Sequence, residues 1–481
     1  MIGGVSMKQS IITYKELKIT LCQVLYIKKI HIEETINNHS TLILQAILTD
    51  EMRAEMIHEL DQVINLYYAG EEATSLFQGH IRKISINTEG DLYSLYLEAN
   101  SYTYGMDITR RSRSFQDINM TSHEVIKSIM KDYPQSDCLL EIPNEPIGEL
   151  VVQYEETDWA FIKRFISRYQ AGLYPENGFT NIRYHAGVPR QYAKVNWEDL
   201  PYEISKDLQD YNEIQSNSLP DMAPIHYVTY KVGAYDYLSL GTEVNYKEMT
   251  FYIHHIERKL EGGELISYYF LRQKKGLRQK KLYNERITGV SIDGVILQVQ
   301  RNRVRVQLEI DNAQDVAKAY WFPYSTVSAS SGGSGWYCMP EIGESVRAYF
   351  PIHDEKEGYV ITNIKSHTPD TPQEGDMMGD PTNKNISTAQ DKQVIFTPEG
   401  VFIVADSGNG QINLKLDGSV EVSGIDNISI TAIEDVSLRA EKEAMISADK
   451  KIDLLCEAEG HIEMLPGGIT KLNAKEIYEN S

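Results

Sequence analysis

Ile412-Asn-Leu-Lys-Leu416, Val420-Glu-Val-Ser-Gly424, Ile428-Ser-Ile-Thr-Ala432 and Val436-Ser-Leu-Arg-Ala440 are consecutive copies of one repeat with a period of eight. Each copy alternates apolar and polar residues, the pattern of a strand with one buried face. Three columns emerge over seven octads ending near Met464. The first is Ile412, Val420, Ile428, Val436, Ala444, Ile452 and Gly460; the second is Leu414, Val422, Ile430, Leu438, Ile446, Leu454 and Ile462. The third, Leu416, Gly424, Ala432, Ala440, Ala448, Cys456 and Met464, narrows to small residues. A helix is excluded, because residues two apart do not share a helical face. A fixed period with one strand per repeat predicts a solenoid or an intertwined β-helix. One octad per turn is too short to close a coil around its own core. The pattern therefore asks for three chains winding together, and a homotrimer is expected.

Upstream the chain also reads as mainly β. Ile30–Glu33, Thr41–Leu48, Val63–Tyr68, Leu76–Ile84 and Leu92–Leu97 have strand character, while Asp50–Leu60 reads as a short helix or an irregular connection. A helix is predicted from Ser122 to Asp132, capped by Thr121 with Glu124 in capping-box position. A second is predicted from Asp158 to Tyr169, capped by Thr157 or Asp158, with Trp159, Ile162, Phe165 and Ile166 as its buried stripe and Gly172 as its stop. Strands resume at Thr180–His185, Ile225–Tyr230, Met249–Ile256 and Leu265–Leu271. Five short strands between Ile287 and Ile364, at Thr288–Asp293, Val295–Val299, Arg303–Ile310, Ser345–Phe350 and Gly358–Ile364, fit a small OB-type barrel. The expected organisation is two β-barrel lobes (roughly 1–115 and 150–285) joined by helices, a barrel at 286–365, a polar linker at 366–393, and the octad segment with a short tail at 394–481.

The chain has 481 residues and a formal net charge of −22, which argues against nucleic acid as the main partner. Its four cysteines are scattered, so neither a disulfide framework nor a metal-binding spacing is expected. No run of about 18 apolar residues is present, and no basic segment followed by an apolar run opens the chain. Synthesis in the cytoplasm without a secretory signal is expected.

Order and motifs together resemble the VgrG and phage late-control protein D family, the hub and spike of contractile injection machines. Val152-Gln-Tyr-Glu-Glu-Thr-Asp-Trp-Ala-Phe-Ile162 followed by Gly172-Leu-Tyr174 is similar to a family stretch in the hub. Asn302–Gln307 resembles the opening strand of the family's OB barrel. Gly335-Trp336 with Pro340, Ile342, Gly343, Val346 and Phe350 resembles the core of that barrel. The resemblance implies a twin-lobed ring that docks on a hexameric tube protein, baseplate contacts, an OB neck and a β-helix driven through the target membrane. It also implies a separate PAAR-type tip protein, effector cargo, and assembly into a particle that is virion-like, extracellular or anchored in a cell. Relatives with a lysozyme domain carry it where this chain has only the linker, and about seventeen residues follow Met464, so neither that domain nor a C-terminal effector is expected.

Catalytic and cofactor roles find little support. Glu155, Glu156 and Asp158 precede a helix, where capping and the helix dipole explain carboxylates better than acid–base work does. His254 and His255 are neighbours in a predicted strand and should face opposite ways. His461 is the one candidate for a tip-metal ligand, but it falls between the columns and lacks the His-x-His pattern of metal-binding tips. The basic run Arg272–Lys281 reads as a solvated connection facing an acidic neighbour. A non-enzymatic spike is thus expected, with no cofactor. The alternatives are a peptidoglycan- or glycan-degrading spike and a receptor-binding fibre or adhesin.

Overall fold

The computed structural model describes residues 11–49, 63–70, 73–90, 92–217, 219, 221–326, 328–329, 335–336, 338–362, 380–388, 390–405, 408–456 and 460–476. The expected connection at Asp50–Leu60, most of the linker and most of the Ser325–Gly335 loop lie outside these residues. The chain divides into two units, Met1–Lys365 and Ser366–Ser481.

In the first unit a 12-stranded sheet passes through both N-terminal lobes. Its first half runs in the spatial order Leu17–Ile19, Val63–Ala69, Ala73–Glu89, Leu92–Ser101, Thr41–Leu48 and Val24–Thr35, all antiparallel. Strand Val24–Thr35 then pairs antiparallel with Met249–Glu261, in the register His31↔Lys259 to Thr35↔His255. Glu264–Arg272, Val228–Ala234 and Tyr202–Lys206 follow. The two lobes thus share a sheet while keeping separate cores. Ile30, Leu44, Leu66, Phe77 and Leu97 fill one, and Trp197, Val232, Tyr246, Ile253 and Tyr269 fill the other. Where the strands join, Arg258 and Glu34 form a fully buried ion pair.

A helical module lies between the lobes in sequence. Helix α1 (Ser122–Met130) starts in the predicted capping box, and Val125, Ile126 and Ile129 are buried. Helix α2 (Asp158–Ser167) is capped by Thr157, whose side chain accepts from the backbone of Ala160. It ends earlier than expected. Gln170, with φ of 57°, turns the chain, and Gly172 serves close packing instead: a Cβ there would sit 2.5 Å from Ile36 Cγ2. A third helix, α3 (Leu208–Asn217), was not anticipated; Tyr211 and Ile214 pack with Leu219, Met222 and Tyr227.

The barrel has five strands in the order Phe322–Pro323, Arg303–Leu308, Val290–Gln300, Ser345–Phe350 and Tyr359–Thr362. Two strands expected on either side of Gly294 are one continuous strand with a bulge at Ile296/Gln298. Gly294 lets the next strand approach, since a Cβ would lie 2.5 Å from Val306 Cγ1.

The second unit contains a five-stranded antiparallel sheet, Lys384–Ser387, Gln393–Thr397, Gly400–Ala405, Gly410–Lys415 and Val420–Gly424. A three-stranded one follows, Ile452–Cys456, Gly460–Leu465 and Ile469–Ala474. Between them, residues 425–451 form no strand.

Candidate functional site

The octad columns fall into two kinds of backbone. Asp417-Gly418-Ser419 closes a hairpin, with Gly418 at φ of 84° and Asp417 Oδ1 accepting from Ser419 N at 2.9 Å. Ile412 then faces Val422, and Leu414 faces Val420. Gly467 and Gly468, both at positive φ, turn the last hairpin, while Ile452 opposes Met464 and Leu454 opposes Ile462. The connection Glu441-Lys442-Glu443 has no glycine to adopt such a turn, and the octads at Ile428, Val436 and Ala444 stay unpaired within the chain. The expected strand in each octad is therefore absent from the middle repeats of a single chain. Not one column residue with described burial is buried: Ile428, Ile430, Val436, Leu438, Ala444 and Ile446 are all exposed, Leu438 by 78%. Leu416 is exposed as well. Water-exposed β-branched columns and unpaired backbone groups are what a strand shows before its partners arrive.

The family-like stretch in the hub is a joint between cores. Strand Val151–Thr157 pairs with Arg110–Phe115, and alternation sends its neighbours to opposite sides. Val151 packs into the helical core with Phe115, Phe161 and Phe165, whereas Val152 packs into the barrel core with Val304, Val306 and Phe350. Trp159 Nε1 donates to the carbonyl of Asn37 at 3.2 Å, and Leu173 N donates to Asn37 Oδ1 at 2.9 Å, so this stretch also seats the first lobe.

Of the three carboxylates, Glu156 and Asp158 are paired rather than capping, while Glu155 is exposed. Asp158 is fully buried, accepting from Gln153 at 2.9 Å, from Tyr133 at 2.7 Å, and from Arg113. Arg164 donates through Nε to both oxygens of Glu156 (3.0 and 3.2 Å), through Nη2 to the Val152 carbonyl (2.8 Å), and through Nη1 to Glu355 in the barrel (2.7 Å). Burial pushes the Glu156 carboxyl up against the pull of Arg164. Asp311 of the barrel takes two bonds from Ser114, at 2.6 and 2.5 Å, and its carboxyl is likewise raised by burial. Buried bonds and ion pairs of this kind lock barrel to hub in one geometry.

In the barrel motif, Val346 and Phe350 are buried, Pro340 is half-buried, and the backbone of Gly335-Trp336 forms a short strand with Ser328-Ala329. Ile342 departs from the expectation of a core residue. It is 70% exposed on the turn that Gly343 completes at φ of 91°. His461 is partly exposed and bonds Asp453 at 2.9 Å.

His254 and His255 also depart from expectation. The register between strands Met249–Glu261 and Glu264–Arg272 slips between Ile253 and His255, so His254 is the extra residue of a β-bulge. Both imidazoles line one cleft and both meet the ring of Phe270, at centroid distances of 6.4 and 4.5 Å.

Residues 33–177 match the family model for the phage tail baseplate hub (GPD), and residues 292–364 match that for the type VI secretion system/phage-baseplate injector OB domain. The two matches, in this order along the chain, support a VgrG/late-control-D-like hub. Among solved structures, this VgrG-like hub chain is similar to the E. coli c3393 protein, a type VI secretion component described as similar to the T4 tail proteins gp27 and gp5. That match has a TM-score of 0.51 and 12% identity, over 72% of this chain and 98% of the other. It is also similar to a chain of the half-lidded Francisella PdpA–VgrG complex, at a TM-score of 0.51 and 8% identity, over 87% of this chain and 88% of that one. At such identities these structures establish the shared fold. No curated protein sequence matches. The two domain matches support a structural role in a baseplate hub. Among the described residues no helix is long and apolar enough to cross a membrane.

Proposed function

We propose that three copies of this chain assemble into the hub and spike of a contractile injection particle, with the octad segment as the piercing element. In this reading the twin lobes dock on a hexameric tube protein within a baseplate. The OB barrels form the neck, and the octads of the three chains pair into an intertwined β-helix that passes transiently through the target envelope. The observation that carries the reading is the unpaired, fully apolar-columned run at residues 425–451, where Ile430, Ile433 and Leu438 lie open to water. Burying one such side chain contributes about 1.5–3 kcal/mol. Repeating that over the middle octads of three chains supplies a driving force for association that a lone chain cannot realise.

The spike acts mechanically in this proposal and needs neither catalysis nor a cofactor; a cell-wall hydrolysis assay that detected turnover would contradict that part. A PAAR-type tip protein and effector cargo are further proposed partners, motivated by the family resemblance. Native mass measurement on the purified full chain tests assembly. The expected value is three times the 54.8 kDa chain mass, together with capture of a hexameric tube protein from particles. A monomer across the micromolar range would overturn the assembly, and binding to cells without any tube protein would favour an adhesin.

A further inference from the structure

The rim of the second lobe's core carries a cluster of aromatic rings that the mechanical role does not use. Strand Tyr202–Lys206 ends the 12-stranded sheet and pairs antiparallel with Val228–Ala234, with Tyr202 opposite Val232 and Ile204 opposite Tyr230. Strand alternation puts Tyr202 and Tyr230 on the face that Val232 buries in the core. Strand Glu243–Tyr246 brings a third ring to the same place. The centroids of Tyr202 and Tyr230 lie 6.0 Å apart, and that of Tyr246 is 6.2 Å from each. Tyr246 stands at 81° to both, so the rings form walls rather than a stack.

A cation already sits among them. Lys247 Nζ is 4.3 Å from the centre of the Tyr202 ring and 5.2 Å from that of Tyr246. Both distances fall within the reach of cation–π attraction, about 6 Å. Lys247 and Glu248 are the central residues of the two-residue turn that joins Tyr246 to Met249, at φ of 48° and 61°. Asn and Gly ordinarily fill such turns. Lys247 adopts the left-handed backbone all the same, and its side chain folds back over the rings. Glu198 steadies the turn by accepting from Lys247 N at 3.2 Å. Tyr246 is 1% exposed, yet its hydroxyl has no hydrogen-bond partner among the described residues. Burial, then the nearby Tyr202, Glu198 and Tyr230, push that hydroxyl above its ordinary value. The cluster opens to water through Tyr202, which is 46% exposed.

We propose that Tyr202, Tyr230 and Tyr246, with the Glu198 carboxylate at the rim, form a binding site for an alkylammonium group, and that Lys247 occupies it in the unliganded chain. Such a group is carried by a lysine side chain of another protein or by a small quaternary ammonium. Ring faces attract the charge while the alkyl groups pack against them, and a neighbouring carboxylate adds to the attraction. Lys247 is half-buried on a turn whose next residues, Glu248 and Met249, are exposed, so its side chain can swing out. A competitor's apparent affinity then falls with the fraction of time that Lys247 leaves the site vacant.

The test is titration of the full-length chain with choline chloride, and separately with Nα-acetyl-lysinamide, against sodium chloride at equal ionic strength, followed by calorimetry and by the melting temperature. Lys247→Gly suits the positive φ and empties the site, so it should tighten binding by about tenfold or more. Should glycine disturb the turn, Lys247→Asn tolerates the same φ and should give the same gain. Adding Tyr202→Leu to Lys247→Gly should abolish the gain; Tyr202 lies on an exposed edge strand, where the fold accepts leucine. Tyr192→Leu removes another exposed tyrosine of the same lobe and should leave binding unchanged. Stronger binding of the lysine derivative would identify a protein side chain as the natural occupant; stronger binding of choline would identify a quaternary ammonium. No saturable binding to Lys247→Gly beyond the sodium chloride control would overturn the site, leaving Lys247 as a cover for the core rim. Equal loss on Tyr192→Leu and Tyr202→Leu would also overturn it, because the attraction would then be spread over surface tyrosines.

Discussion

Replacing Arg164 by Met puts the hub-to-barrel joint under direct strain. Arg164 has 5% of its side chain exposed and makes three contacts with Glu156, two of them through Nε, plus bonds to the Val152 carbonyl and to Glu355. Methionine keeps much of the volume but leaves two buried carboxylates without a cation. Removing one partner of a buried ionic cluster costs about 3–5 kcal/mol. Replacing all three charges by apolar residues removes the stranded charge, so R164M/E156L/E355L should recover most of the loss. Burial already raises Glu156, and without Arg164 the folded protein holds its proton more tightly than the unfolded chain does. The single variant's deficit is therefore largest at high pH and shrinks as the pH falls through the raised folded pKa. Urea midpoints report the loss, while amide exchange in α2 and in strand Tyr359–Thr362 reports whether the joint opens locally. A loss below about 1 kcal/mol for R164M, against the expected size for a buried cluster, would refute this reasoning. So would a triple variant as unstable as the single one.

Asp107 and Glu176 provide a pH test of opposite sign. Burial raises each, but bonds from His39 and Thr157 to Asp107, and from His185 with Arg183 nearby to Glu176, hold both below their ordinary values of 3.8 and 4.5. Their stabilisation is present above those values and fades as the pH falls through the folded pKa; E176Q should flatten the loss of urea midpoint below pH 4.5, and an unchanged slope would contradict it. Gly294→Ala places a methyl 2.5 Å from Val306 Cγ1 and 2.7 Å from the Gln307 carbonyl, and overpacking of that kind should lower stability by about 1–3 kcal/mol in a urea melt. The pair I430D/L438D puts charges where the columns are expected to converge; light scattering should show loss of the trimer with the circular dichroism of the lobes retained, and an unchanged mass would count against the packing.

Local signals survived best from sequence to structure. Thr121 and Glu124 spelled a capping box, and the structure has both of its bonds, at 2.7 and 3.3 Å. That one strand would serve two cores, through Val151 and Val152, was not foreseen. What remained hidden depends on partners distant in sequence. Arg164 finds Glu355 191 positions away, and no spacing rule anticipates such a pair. Gly294 looked like a break between strands because its role, close approach of the Val306–Gln307 backbone, exists only after pairing. His254 was misread because strand alternation assumes no bulge, and the slip at Ile253 depends on how the two strands pair. The octads show the converse: their pattern was legible at once, yet a single chain leaves residues 425–451 without a ladder.

That run offers the most direct test. Amide hydrogen exchange over residues 425–451 of the purified full-length protein distinguishes backbone bonded between chains from backbone open to water. The trimeric spike predicts slow exchange across Ile428, Val436 and Ala444, comparable to the core strands of the lobes. Exchange at the rate of an unstructured peptide would contradict it.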